Sequence, residues 1–367
     1  MPSLLKARFR HAQHYQQIAD RADILYLEGE TAVMEGLALF DQERAQIDSG
    51  WEWLLSQPQS QATDTLLCNY ASATAYVGHI RYHTQRERIP QLEAALAAAR
   101  RLGLRSHEGA WMGNLGNAYY SVGEPRRAIE YHEQYLVTAR EIGERQGEAT
   151  ALGNLGNAYA DLAEYHRALT YYEQQLGINR QLGDRQAESI AIGNVGLVSY
   201  GLGDFDRAIT YYEQQLVITR EIGYRDGEGK ALGSLGLASR VMGNPGRAIV
   251  YYEQQLEIAR EIGDRRGEGS ALGNLGNAYK DLGNLQAAAA YYQDALIIAQ
   301  EIGNLQAAAI QSWNLGLLLV EQGDLGGALQ LMQSCVDYER RVEHPDAETD
   351  AVQVEQVRQR MLNVEKQ

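Results

Sequence analysis

The chain of 367 residues is poor in features that mark several large classes of protein. Cys68 and Cys335 are its only cysteines, too few for the disulfide framework of a secreted fold, so the reducing cytoplasm is the expected compartment. Prolines number six against 37 glycines, a balance that fits many helix ends joined by tight turns rather than disordered linker. No run of about 18 apolar residues occurs, and the opening Met1-Pro2-Ser3-Leu4-Leu5-Lys6-Ala7-Arg8 lacks the apolar stretch of a signal peptide. Positive charge is scarce: there are four lysines, the formal net charge is −15 and the pI is near 5.0. Such a field opposes phosphate backbones and anionic membranes, so neither nucleic acid nor a membrane is expected as a partner.

What the chain does have is a period. Gly-Asn-Leu-Gly-Asn at 113–117 returns at 153–157 and 273–277, and in altered form at 193–197, 233–237 and 313–317, always at a spacing of 40. A fixed period of this size marks a solenoid, in which each unit buries its apolar face by stacking on the next. One elongated domain is expected, with function along a shared surface.

Residues 145–184 serve as the specimen repeat. Ala151, Leu152, Leu155, Ala158, Tyr159 and Leu162 recur at helical spacing and define helix A; Ala168, Leu169, Tyr172 and Leu176 define helix B, which stops at Gly183. Ala163 stands where other repeats have Gly123, Gly203, Gly243, Gly283 and Gly323, the place of a left-handed helix terminator. Glu164, like Asp204, Asn244, Asn284 and Asp324, then stands where a cap for helix B is expected. No strand pattern occurs. The expected fold is all-α, a right-handed superhelical solenoid of antiparallel helix pairs.

Leu155-Gly156, Tyr159, residue 163, Ala168 and Tyr172 resemble the tetratricopeptide repeat consensus, lengthened from 34 residues to 40. The longer period, the Asn-Leu-Gly-Asn-Ala-Tyr runs and the Gly-Asp-Arg-x-x-Glu linkers most resemble the Pins-type spindle-orientation adaptors and, less closely, kinesin light chain. The resemblance covers about 106–340 and implies binding by an inner surface. No G-protein-binding motif follows the repeats, so spindle biology is not carried over. The helical amino-terminal stretch followed by such repeats also resembles, more weakly, the sensor region of bacterial STAND-class NTPases. Residues 1–105 read as degenerate repeats or a cap, in which Arg88 replaces the small Ala128, 106–344 as the array, and 345–367 as a closing helix.

By the tetratricopeptide pattern, Gly116, Gly156, Gly196, Gly236, Gly276 and Gly316 let helices A and B approach closely. The register of Gly113, Gly153, Gly193, Gly233 and Gly273 faces the inner surface by the same analogy, where it either leaves room for a ligand backbone or serves packing between repeats. Asn114, Asn154, Asn194, Asn274 and Asn314 share one register, and Asn117, Asn157 and Asn277 lie three residues on along the same face. Their amides offer both donor and acceptor. Two readings are open: a row that brackets an extended peptide, which the family resemblance favours, and a hydrogen-bonded ladder that only rigidifies the array. Leu197, Leu237, Leu317 and Ser234 interrupt the row, so recognition there is expected to be more apolar. Lys230, Arg240 and Lys280, projecting from A helices of an acidic protein, form the candidate anchor for an acidic side chain or terminal carboxylate, against a plain solvated face. Arg145, Arg185, Arg225 and Arg265 recur with Glu148, Glu188, Glu228 and Glu268, a structural charge ladder worth a few tenths of a kcal/mol per pair.

Catalytic patterns fail. His79 and His83 have i,i+4 spacing without the glutamate of a His-Glu-x-x-His site, and His79 falls in the register of Tyr119. Gly229-Lys230-Ala231 lacks the Ser or Thr and the glycine spacing of a phosphate loop. Cys335 holds a register occupied by Ala295 one repeat earlier, as a small packing residue would. No enzyme activity, cofactor or metal is expected. The leading expectation is a module that binds a protein or peptide; a ligand-sensing regulatory domain is the alternative, and a self-assembling scaffold is a third class.

Overall fold

The computed structural model describes residues 2–365, and among them no strand occurs. The chain divides into two compact units, residues 1–184 and 185–367. In the first, α1 (Pro2–Glu28) and α2 (Glu30–Leu55) form a long hairpin. It is followed by α3 (Gln61–Ala73), α4 (Val77–Arg81), a π-helical turn (Thr84–Arg88) and α5 (Ile89–Leu102). Two regular hairpins complete the unit: α6 (Arg105–Ser121) with α7 (Pro125–Ile142), and α8 (Arg145–Asp161) with α9 (Tyr165–Leu182).

The second unit holds four hairpins of the same kind. They are α10 (Arg185–Gly201) with α11 (Phe205–Glu221), α12 (Arg225–Val241) with α13 (Pro245–Glu261), α14 (Arg265–Asp281) with α15 (Leu285–Glu301), and α16 (Leu305–Gln322) with α17 (Leu325–Arg341). The last helix, α18 (Ala347–Glu365), packs on α17 through Met332, Val336, Val354 and Val357.

Five of the six regular hairpins close around an aromatic ring facing a glycine; in the last, Gly316 faces Met332 instead. A Cβ added at Gly156, Gly196, Gly236 or Gly276 would lie 2.4–2.6 Å from ring atoms of Tyr172, Tyr212, Tyr252 or Tyr292, and one at Gly116 would meet His132 at 2.4 Å. These glycines are therefore packing positions. The other register is filled as well: a Cβ at Gly153, Gly193 or Gly233 would meet the side-chain amide of Gln175, Gln215 or Gln255 at 2.4–2.8 Å. The space expected for a ligand backbone is occupied by a glutamine of the paired helix.

Turn chemistry follows the repeat with two departures. Ala163 adopts the left-handed conformation (φ 56°) that glycine takes in the equivalent turns. Asp204, Asn284 and Asp324 accept the backbone N–H three residues on at 3.0–3.1 Å, whereas Glu164 and Asn244 do not cap. Glutamate is one methylene too long for that loop, and Glu164 instead pairs with Arg167 at 2.8 Å.

The charge ladder is more buried than an exposed-helix pattern implies. Glu148, Glu228 and Glu268 are buried, and each accepts from two arginines. One lies at the end of the preceding B helix (Arg140, Arg220 and Arg260, all at 2.8 Å) and the other at the start of its own helix. The carboxylates thus latch successive hairpins.

The amino-terminal departure has a physical cause. Asp23 of α1 is buried, and its carboxylate accepts from the backbone N–H groups of Tyr76 (3.0 Å) and Val77 (2.7 Å), which ends α3 and starts α4 out of register. His79 is consequently exposed instead of taking the core position of Tyr119. Arg88 is 1% exposed and donates to Thr74 Oγ1 at 3.0 Å; burial lowers its guanidinium to about 10.

Candidate functional site

Successive A helices touch one another within each unit, α6 with α8, α10 with α12 and α12 with α14. In the first unit the amides engage the protein. Asn154 Nδ2 donates to Asn117 Oδ1 at 3.2 Å across neighbouring repeats, and Tyr172 Oη donates to Asn157 Oδ1 at 2.6 Å. Tyr292 and Asn277 repeat the second bond at 2.8 Å in the second unit. In all three cases the carbonyl oxygen is spoken for, which leaves the amide N–H groups of Asn117, Asn157 and Asn277 as donors toward solvent. Asn114, Asn194, Asn274 and Asn314 are half-buried and make no side-chain hydrogen bond among the described residues.

In the second unit a cavity of about 310 Å³ opens between α10 and α12, floored by Gln215 of α11. Asn194, Ser234 and Lys230 supply its polar wall, and Ile190 and Leu197, 43% and 56% exposed, its apolar one. Tyr224 and Gly227 close one end. This cavity brings together Asn194 and Lys230, two of the peptide-contacting candidates expected from sequence, with Gly193, Leu197 and Ser234, which the sequence also marked.

The three cations do not form one cluster. Lys230 pairs with Asp226 at 2.7 Å, whereas Arg240 lies ten residues along the same helix, about 15 Å away, and pairs with Asp281 at 3.1 Å. Lys280 is half-buried and has no ion pair among the described residues. Partial burial acts to raise the Asp226 carboxyl, but hydrogen bonds from Lys230 and Tyr224 (3.0 Å) outweigh it and hold the group below the ordinary carboxylate range. The hydrogen bond to Asp226 in turn raises Lys230.

Sequence reasoning passed over Gln215, Ile190 and Tyr224. A signal existed for the first, because the third position of Tyr-Tyr-Glu-Gln-Gln-Leu after its second tyrosine recurs as Gln175, Gln215 and Gln255 with the period of the glycines they face. Gln175 Oε1 and Gln255 Oε1 are buried and have no hydrogen-bond partner among the described residues.

Tetratricopeptide repeat signatures match residues 147–221, 228–301 and 268–338, together more than half of the chain, and a further one matches 110–146. The chain belongs to the tetratricopeptide repeat family, whose all-α repeat fold it shares. No curated protein matches it. Among solved structures it is similar to a STAND signal-transduction ATPase with a tetratricopeptide repeat sensor from Pyrococcus horikoshii, at 16% identity and a TM-score of 0.62. That match covers 94% of this chain and 59% of the ATPase. It is also similar to BtubC of P. vanneervenii (22% identity, 60% of this chain, 92% of that one, TM-score 0.54). A third neighbour is the Rap conjugation gene regulator of plasmid pLS20, solved in complex with the Phr* peptide (12% identity, 96% of both chains, TM-score 0.52). At these identities the likeness is one of fold. No described helix is long and apolar enough to cross a membrane.

Proposed function

We propose that this chain is a non-enzymatic protein-interaction module that takes an extended peptide, or a disordered segment of a partner, along the inner face of its A helices. The observation that carries the reading is the cavity between α10 and α12, where amide donors and acceptors stand beside exposed aliphatic side chains. An extended chain presents that same mixture, with peptide groups for Asn194 and Ser234 and apolar side chains for Ile190 and Leu197. The donors left free on Asn117, Asn157 and Asn277 extend the reading to the other A helices, with Asn114, Asn154, Asn274 and Asn314 beside them. Lys230 favours an acidic group only where that group displaces Asp226, so charge tunes selectivity more than it supplies affinity. Arg240 and Lys280 act separately from Lys230. Residues 1–105 serve as the cap of the array at 106–344, and 345–367 as its closing helix. The peptide carried by the pLS20 regulator supports this reading by analogy of fold.

The match along 94% of this chain to the archaeal protein favours a second reading, the ligand-sensing region of a STAND-type system. A nucleotide-binding module on the same gene product separates the two.

The test is selection of binders from a random peptide library, followed by fluorescence anisotropy. Asn194→Ala combined with Lys230→Glu is expected to weaken the selected peptides about tenfold or more. Unchanged affinity in a folded variant rules out this cavity as the binding site.

A further inference from the structure

Far from the inner face, α17 and α18 bring three ligand-type side chains together. Cys335 and Glu339 stand one turn apart on the same side of α17, and Asp350 is in the first turn of α18. One donor atom of each lies within 4.8 Å of the other two, with Cys335 Sγ 3.6 Å from Glu339 Oε1. Cys335 is buried, and Glu339 Oε2 is buried with no hydrogen-bond partner among the described residues.

Packing explains the small residue at 335 but not the rest. A carboxylate oxygen withdrawn from water and left unpaired is costly, and here it faces two further groups that become anionic on ionisation. The neighbouring arginines are turned elsewhere: Arg340 pairs with Glu348 at 3.1 Å and Arg358 with Glu355 at 2.7 Å. His344 lies in the turn between the two helices.

We propose that Cys335, Glu339 and Asp350 form a binding site for one divalent ion of the zinc type, with His344 or water as the fourth ligand. Tetrahedral zinc with arms of about 2.0–2.3 Å places its ligands roughly 3.3–3.7 Å apart, so the Cys335–Glu339 separation already fits and Asp350 needs only a side-chain adjustment. A thiolate beside carboxylates selects zinc or cobalt over magnesium or calcium. The ion joins α18 to α17 by a bond that the apolar contact between them does not supply.

The test is titration of cobalt(II) into the full chain, reduced and stripped of metal. A thiolate-to-cobalt charge-transfer band in the near ultraviolet should saturate at one equivalent and be displaced by zinc. Cys335→Ser should abolish the band, Glu339→Gln and Asp350→Asn should each weaken binding about tenfold or more, and Cys68→Ser should leave it unchanged, with folding checked by circular dichroism. Absence of the band, its persistence in Cys335→Ser, or indifference to both carboxylate changes overturns the site. Should Cys335→Ser fail to fold, the two carboxylate variants decide.

Discussion

The hairpins α8–α9 and α10–α11 differ at one position that changes what the inner face offers. On α8, Asn157 takes the hydroxyl hydrogen of the buried Tyr172; on α10 the same register is Leu197, 56% exposed, which gives Tyr212 no such acceptor and lines a cavity instead. On α12 the register is Leu237, and the hydroxyl of Tyr252 is buried without an acceptor among the described residues, its polar neighbour being the guanidinium of Arg240. Replacing an amide by leucine thus trades internal hydrogen bonding for apolar surface open to a partner. On the proposed reading, the repeats tied together by amides are the more rigid ones and those carrying leucine offer the apolar contact.

The strongest way to break this comparison lies one hairpin earlier, where His132 replaces the register tyrosine. Burial lowers its imidazole to about 4, against an ordinary value near 6.5, so the unfolded chain binds the extra proton first as pH falls. The stability tied to the neutral ring is complete above about pH 6.5 and is lost toward pH 4, a change of about 3 kcal/mol. His132→Tyr should flatten that part of the pH profile in urea unfolding; an unaltered profile would show that the ring titrates normally.

A smaller effect is expected from exchanging the register residue itself. Asn157→Leu leaves the Tyr172 hydroxyl buried and unpaired and should cost about 2 kcal/mol, whereas Leu237→Asn gives Tyr252 an acceptor and should gain about 1 kcal/mol. Thermal midpoints moving in the same direction for both would contradict the assignment. Of the same size as the gain from Leu237→Asn, Ala163→Gly relieves a left-handed alanine and should stabilise by about 1 kcal/mol in the same assay.

Much of the architecture was legible because its causes are local and repeated. Gly156 with Tyr172, and the glycine turns at 123, 203, 243 and 283, show the helix pair in the letters themselves. The break at residues 74–76 was not legible, since it depends on Asp23, which reaches it from more than fifty positions away. At the candidate site, Asn194 and Lys230 were singled out from sequence, but their juxtaposition with Ile190 and Leu197 and the pairing of Lys230 with Asp226 needed three dimensions. The arrangement of Cys335 with Asp350 escaped notice for the same reason, because the period of 40 ends before α18.

The most direct test of the central claim is anisotropy titration of one selected peptide against the intact chain, Leu197→Asp, and Val217→Asp as an exposed control outside the cavity. The account predicts that Leu197→Asp weakens binding at least about tenfold while Val217→Asp leaves it unchanged. Equal affinities for all three, or loss confined to Val217→Asp, would contradict it.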